Sequence, residues 1–318
     1  MHIIKWVNDA MIIKKAFKKI LITTFLFFFV LTICIIPSKS KKTNIELNTI
    51  DTETVDVYLM NDFNQLTKVD IKVNKESLET SISSIIKKLT RSFDATIPNH
   101  LVQVIPENVK LKEIQVDEGI VYLNFSKEFL DISNSDIEKV AESISYSILS
   151  INGITGVSIY VEEENISKLY PVNIPSIITK DYGINKRYAI KNVNDISKVV
   201  IYYLTDIDDK RYFVPITKYV NDDREKIKII VDELSSNYIY ESNLISLLDR
   251  NLKLLDYCIV DDEMILDFNN SIFVDKNDIL EEVVYAISYS IFDNYDVNEV
   301  VFKVNGEEFV KKVQKVIE

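Results

Sequence analysis

An α+β fold built twice is what this chain predicts: two tandem β-α-β-β-α-β sandwiches, each with its helices on one face of a small mixed sheet, behind an N-terminal transmembrane helix. Three observations carry that reading. The charge is unevenly divided along the 318 residues, a 17-residue stretch without charge lies between lysine clusters, and the second half of the chain repeats the first. An apolar fraction of 47% with 27% charged residues is that of a folded protein rather than a disordered one.

Residues 1–42 hold eight lysines and one acid, Asp9, a net of +7, so the rest of the chain carries −19 of the overall −12. The uncharged stretch is ILITTFLFFFVLTICII at 20–36. As a helix it reaches about 26 Å, near the lower limit for crossing a hydrocarbon core of about 30 Å. Lys14, Lys15, Lys18 and Lys19 precede it and hold that end in the cytoplasm by the positive-inside rule. The expected order is a cytoplasmic basic segment at 1–19, a transmembrane signal anchor at 20–36, a polar linker at 37–53, and an extracytoplasmic body. Two other readings of the segment compete. Cleavage near Ser38 or Ser40 would give a secreted protein, and lipidation of Cys34 would give a lipoprotein, against which stands the bulky Ile33 before it.

The repeat is visible without gaps. NVKLKEIQVDEGIVYLNF at 108–125 aligns with NLKLLDYCIVDDEMILDF at 251–268, a separation of 143 residues. At the same separation ISYSI at 144–148 recurs at 287–291, and VSIYV at 157–161 matches VVFKV at 300–304. A unit of that length is a duplicated domain, not a solenoid repeat. The domains are read as 54–164 and 197–318, with a linker at 165–196. Ile174, Ile177, Ile178, Tyr182 and Tyr188 suit a linker packed on a domain.

Each element follows from its pattern. Residues 55–59 and 199–204 read as strands. Leu78, Ile82, Ile85 and Leu89 form one helical face, as do Ile227, Ile230 and Leu234. A short extra strand fits 68–73. A hairpin joins 109–116 to 120–125, with Gly119 suited to a positive φ and Asp262 in its place in the second copy. A second helix buries Ile137, Val140, Ala141, Ile144 and Ile148, mirrored by Leu280, Val283, Val284, Ile287 and Ile291. Ser135 with Glu138, and Asp278 with Glu281, read as its N-terminal caps. The last strand is 157–161, or 300–304.

The succession of VYL, an apolar helix, IPENVKL at 105–111, GIVYLNFSKEF at 119–129, a helix and VSIYV resembles the GerMN domain, found in sporulation and spore germination proteins. The resemblance covers most of 55–164 and 197–311. It implies domains similar to the ring-building motifs of secretion machines, which associate side by side. It also implies a non-catalytic envelope protein acting in sporulation or germination, with other envelope or sporulation proteins, or further copies of itself, as partners.

His100 stands alone in a loop, and the only other histidine lies near the N-terminus. Asp206, Asp208 and Asp209 resemble the start of a calcium loop but lack its glycine and distal glutamate. The acids at 162–164, 222–223 and 261–263 sit at element ends, where acids are ordinary. Asn124 aligns with Asp267, so no carboxylate is shared there. Cys258 falls in a strand with no activating partner in view. Five glycines leave little for phosphate loops, and the acidic body disfavours nucleic acid. No catalytic, cofactor-binding or metal-binding residue is expected. The leading expectation is a membrane-anchored scaffold or assembly factor. The alternative is a wall-acting enzyme or glycan or small-ligand binder, whose cleft would lie between the copies and hold carboxylates of perturbed titration.

Overall fold

The computed structural model describes residues 18, 19, 24, 52–192, 194–236, 243–273 and 279–313. The chain separates into two compact units, Met1–Thr49 and Ile50–Glu318. Apart from Thr24, the span read at 20–36 lies outside the described residues, among which no helix is long and apolar enough to cross a membrane.

In the first repeat the order is β1 (Thr52–Asn61), β2 (Leu66–Asn74), α1 (Leu78–Leu89), β3 (Leu101–Val102), β4 (Leu111–Asp117), β5 (Ile120–Phe125), α2 (Ile137–Ile148), β6 (Gly156–Val161) and β7 (Glu164–Asn165). The linker contributes β8 (Arg187–Ala189). The second repeat runs β9 (Ile196–Ile207), β10 (Lys210–Asn221), α3 (Lys226–Leu234), β11 (Leu254–Val260), β12 (Glu263–Phe268), α4 (Glu281–Phe292), β13 (Glu299–Val304) and β14 (Glu307–Val313).

The mixed α+β character is as read, but each repeat has three layers rather than two. The mixed sheets β4-β5-β6-β7 and β11-β12-β13-β14 each contain one parallel pair, β5 with β6 and β12 with β13. The first strand of each repeat is not in that sheet. It forms a long antiparallel hairpin, β1 with β2 and β9 with β10, on the other side of the helices. So the strand at 68–73 belongs to β2, while β10 is a strand the alternation did not yield. The physical reason lies in α2, where ten of its twelve residues are buried. A helix covered on all sides needs a layer on each face.

Local chemistry sets the boundaries. Ser77 caps α1 by accepting from the Thr80 N–H, with Glu79 in the first turn and Lys87 and Lys88 in the last. Burying Ile82, Ile85 and Leu89 stabilises the repeat by roughly 1.5–3 kcal/mol each. The cap read at Ser135 is not formed. The N-cap is Asp136 without a side-chain bond, because Ser135 and Asp136 bind Ser133, and Glu138 turns to Tyr182 and Lys186 instead. In α4 the N-cap is Leu280, and Asp278 lies outside the described residues. Gly119 has φ 79°, as its turn requires, and an added Cβ would stand 2.8 Å from the Gly153 carbonyl. In the matching turn the positive φ falls on Asp261, at 55°, rather than on Asp262.

Each repeat has its own apolar core, one around Leu59, Ile85, Phe125 and Ile144, the other around Ile201, Ile230, Phe268 and Ile287. The hairpins of the two repeats then meet edge to edge. β10 pairs with β2 at Phe213↔Lys68 and, further along, in parallel with β8 at Lys218↔Arg187 to Val220↔Ala189. One sheet therefore runs across both repeats.

Candidate functional site

The cleft between the repeats is the place where unusual side chains converge. Its volume is about 540 Å³, and Asp56, Tyr58, Lys68, Tyr146, Lys180, Tyr202, Tyr289 and Asp293 line it. The hairpins supply Asp56, Tyr58, Lys68 and Tyr202; the central tyrosines of the two ISYSI segments, on α2 and α4, supply Tyr146 and Tyr289. Tyr58 meets Tyr146 edge-on at 5.9 Å, and their counterparts Tyr202 and Tyr289 stand 5.5 Å apart.

The positions of these residues come from an unusual use of serine. The outer edge of β1 pairs with the short strand β3 only at Met60 and Asn61, and before that with α2. The Tyr58 N–H donates to Ser147 Oγ at 3.0 Å, the Tyr58 carbonyl accepts from Ser143 Oγ at 2.6 Å, and the Asp56 carbonyl accepts from Ser150 Oγ at 3.2 Å. The second repeat copies the device. Tyr202 N–H donates to Ser290 Oγ at 2.9 Å, and Asn294 both accepts from the Val200 N–H and donates to its carbonyl. The ISYSI match, read as core on its isoleucines, is therefore also a pattern of edge-closing serines. The signal was present in the sequence as serines four apart, 143 and 147, on the polar side of the helix.

Charge in the cleft is internally compensated. Lys68 Nζ lies 2.7 Å from Asp56 and 3.1 Å from Asp70, and 4.5 Å above the Tyr289 ring. Burial pushes the Asp56 carboxyl above its ordinary value, against the pull of Lys68. Burial works against the Lys68 charge too, yet the Asp56 carboxylate holds the ammonium above the ordinary lysine range. Asp293 is held by Lys180 at 3.0 Å and accepts from the Tyr202 hydroxyl at 2.7 Å. Burial raises the Tyr58, Tyr146 and Tyr202 phenols well above their usual range, and Tyr289 to about 12, so all four stay neutral donors. Both acids that face the cleft are thus committed to lysines. The arrangement offers polar contacts and aromatic surface, and its acids are not placed to act as free bases.

A second network fastens the linker. Asn185, buried and at φ 48°, accepts from the Leu66 N–H at 2.9 Å and from Lys139 at 2.9 Å, and donates to the carbonyls of Leu66 and Pro215, both at 2.8 Å. Its own N–H donates to the buried Glu142, which also pairs with Lys139 at 3.1 Å and Lys186 at 3.4 Å. Lys186 sits 3.2 Å over the Tyr182 ring. Of the apolar linker residues, Ile174 and Ile178 are buried and Tyr182 half-buried, while Ile177 and Tyr188 are exposed; Tyr188 stacks on Tyr219 at 4.9 Å.

The other residues singled out in the sequence have structural surroundings. His100, exposed, has Nδ1 2.9 Å from Asp62 and Nε2 3.7 Å from Asp208 of the other repeat, so it is a surface contact between repeats rather than a free loop residue. Asp208 and Asp209 form the two-residue turn of the β9–β10 hairpin, and Asp206 contacts Arg211. Glu162 pairs with Lys112, and Asp222 with Arg224. Asp262 accepts from the Asn298 side chain. Asn124 and Asp267 do the same job, accepting from the N–H of Glu163 and of Gly306 in the turn that follows. Cys258 is an exposed residue of β11. Among the described residues no three His, Cys, Asp or Glu stand close enough to hold a metal ion.

Comparison with known proteins agrees with this architecture. The model of the Germane family, "Sporulation and spore germination", matches residues 56–167 and 200–310. The chain is 27% identical over 223 residues to the spore germination protein GerM of Bacillus subtilis (strain 168), covering 66% of this chain and 60% of the length of that relative. The solved tandem GerMN domains of the sporulation protein GerM from Bacillus subtilis superpose with a TM-score of 0.74 at 21% identity, over 84% of this chain and 98% of that one.

Proposed function

We propose, for a chain that belongs to the Germane family of sporulation and spore germination proteins, a role as a membrane-anchored, extracytoplasmic scaffold or assembly factor. The observation that carries this reading is the state of the cleft, where Asp56 and Asp293 are each held by a lysine and four neutral tyrosines fill the walls. A protein of this kind works through its surfaces, and a tether at 20–36 would raise its effective concentration for partners in the same membrane. The chemistry-free reading also suits a body whose conspicuous polar groups hold the two repeats together. Other envelope or sporulation proteins are the expected partners.

The wall-acting alternative draws on the raised carboxyl of Asp56 in the same cleft. Both readings are separated by one set of strains of the spore-forming source organism. Deletion is expected to lower the yield of heat-resistant spores or delay their germination. Asp56→Asn and Asp293→Asn alleles are expected to restore the deletion strain if the chain is a scaffold. If both alleles fail while the protein accumulates normally, and wall fragments are turned over by the wild-type chain alone, the scaffold reading falls. Fractionation of the native protein, with the mass of its N-terminus, tests the anchor.

A further inference from the structure

The outer face of the first mixed sheet carries a hollow away from the cleft. Val121, Leu123 and Phe125 of β5 belong to the core, so Tyr122 and Asn124 stand on the opposite face, beside Glu113 and Gln115 of β4 and Tyr160 of β6. With Glu163 they line a cavity of about 340 Å³, near the lower end of the about 300–1,000 Å³ that ligand pockets span. The rings of Tyr122 and Tyr160 are half-buried, 6.4 Å apart and tilted by 40°. Glu113 and Glu163 are exposed, and among the described residues neither is paired with a lysine or arginine. The nearby Lys112 is taken by Glu162, at 2.6 Å.

The second repeat answers the same charge from within. Glu113, Asn124 and Tyr160 lie side by side across β4, β5 and β6. Asp256, Asp267 and Lys303 take those places across β11, β12 and β13. There the chain sets its own ammonium on the acidic face; in the first repeat an aromatic ring holds that position. Glu163, at φ 72°, stands where the second repeat has Gly306, at φ 85°, so a carboxylate is kept where glycine would sit without strain. We propose that the hollow takes the side-chain ammonium of a lysine presented by a partner protein. Tyrosine faces attract a cation, and the alkyl stem of a lysine packs along the rings while its head reaches the carboxylates. A hexosamine would need partners for its hydroxyls, yet both amides in the hollow are engaged. Gln115 donates to Glu113 at 2.8 Å, and Asn124 accepts from the Glu163 N–H at 3.1 Å. The inference rests on the scaffold reading and deepens it, by naming what a partner presents.

Saturation-transfer difference NMR of the full chain in detergent, with Nα-acetyl-lysine methylamide as the probe, tests it. Binding in the millimolar range is expected for a single side chain, and it is lost when the probe is acetylated on Nε. Tyr160→Lys, which gives the first repeat the residue of the second, is expected to weaken binding at least about tenfold with the thermal melt unchanged. Glu113→Gln and Glu163→Gln together are expected to do the same. Tyr122→Phe keeps the binding and Tyr122→Leu weakens it several-fold, because a ring face rather than apolar bulk holds the cation. The site falls if the wild-type chain binds no probe, if the acetylated probe binds equally, or if binding is indifferent to Tyr160→Lys. Tighter binding of glucosamine overturns the choice of lysine. In each case the scaffold role is judged separately, by the Asp56→Asn and Asp293→Asn alleles in the deletion strain.

Discussion

Tyr58 and Tyr202 occupy the same place in the two repeats, each giving its backbone N–H to a helix serine, and their hydroxyls meet at 3.4 Å. The contact continues from Tyr202 to Asp293 at 2.7 Å and from there to Lys180. Tyr202→Phe removes the middle of that chain while keeping the ring. It is expected to lower stability by about 1–3 kcal/mol, because a buried bond to a charged acceptor is lost. Urea unfolding of the variant against wild type, with unchanged slope, measures it.

Asn185 is expected to be the most sensitive polar residue of the junction. Its side chain serves backbone groups of Leu66 in one repeat and Pro215 in the other. Asn185→Gly keeps the positive φ and deletes the amide, leaving buried backbone groups without partners. A loss of about 2–4 kcal/mol is expected from two or more such groups. The wild-type chain should unfold its two repeats in one calorimetric transition, and the variant should split it.

The helix serines permit a comparison within a few residues. Ser147→Ala strips the Tyr58 N–H of its partner and is expected to cost about 1–3 kcal/mol. Ser145 and Ser288 hold equivalent positions, and their buried hydroxyls have no partner. Ser145→Ala and Ser288→Ala are therefore expected to be neutral or stabilising by about 1 kcal/mol. Thermal melts rank the three, and hydrogen exchange at the Tyr58 amide should accelerate in Ser147→Ala alone.

Acid should reach the loop after α1 early. Lys88 bonds to Asp94 at 2.7 Å, and Thr96 donates to the same carboxyl, which lies at about 2 instead of 3.8. A carboxyl lowered in the folded state adds stability that is complete above its unfolded value and disappears as pH falls through its folded one. The window is thus from about pH 4 down to about pH 2. The carboxylate is 21% exposed, so solvent trims the effect to about 1 kcal/mol. Asp94→Asn should be destabilised by that amount at neutral pH and equal to wild type near pH 2.

Much of this architecture could be read from residue order. Gly119 marked the first hairpin, alternation marked β1 and β9, and the isoleucines of ISYSI marked the inner helix. Strand partners were less legible, because alternation shows that a strand exists and not which strand it joins. β10 escaped for a local reason. Pro215 at its centre argues against an inner strand, since proline cannot donate to a ladder. In the structure its carbonyl accepts from Asn185, so that side of the strand faces an asparagine rather than a neighbouring strand at this point. The junction was legible in neither repeat alone. Lys68 and Asp56 share one hairpin while Asp293 lies in the other copy, and no motif announces a lysine whose partners arrive from a hairpin and whose neighbouring ring arrives from that other copy.

Closing β1 and β9 with side chains from a helix has a topological corollary. A strand whose backbone groups are taken by Ser143, Ser147 and Ser290 has none of them left at those points for a strand of another molecule.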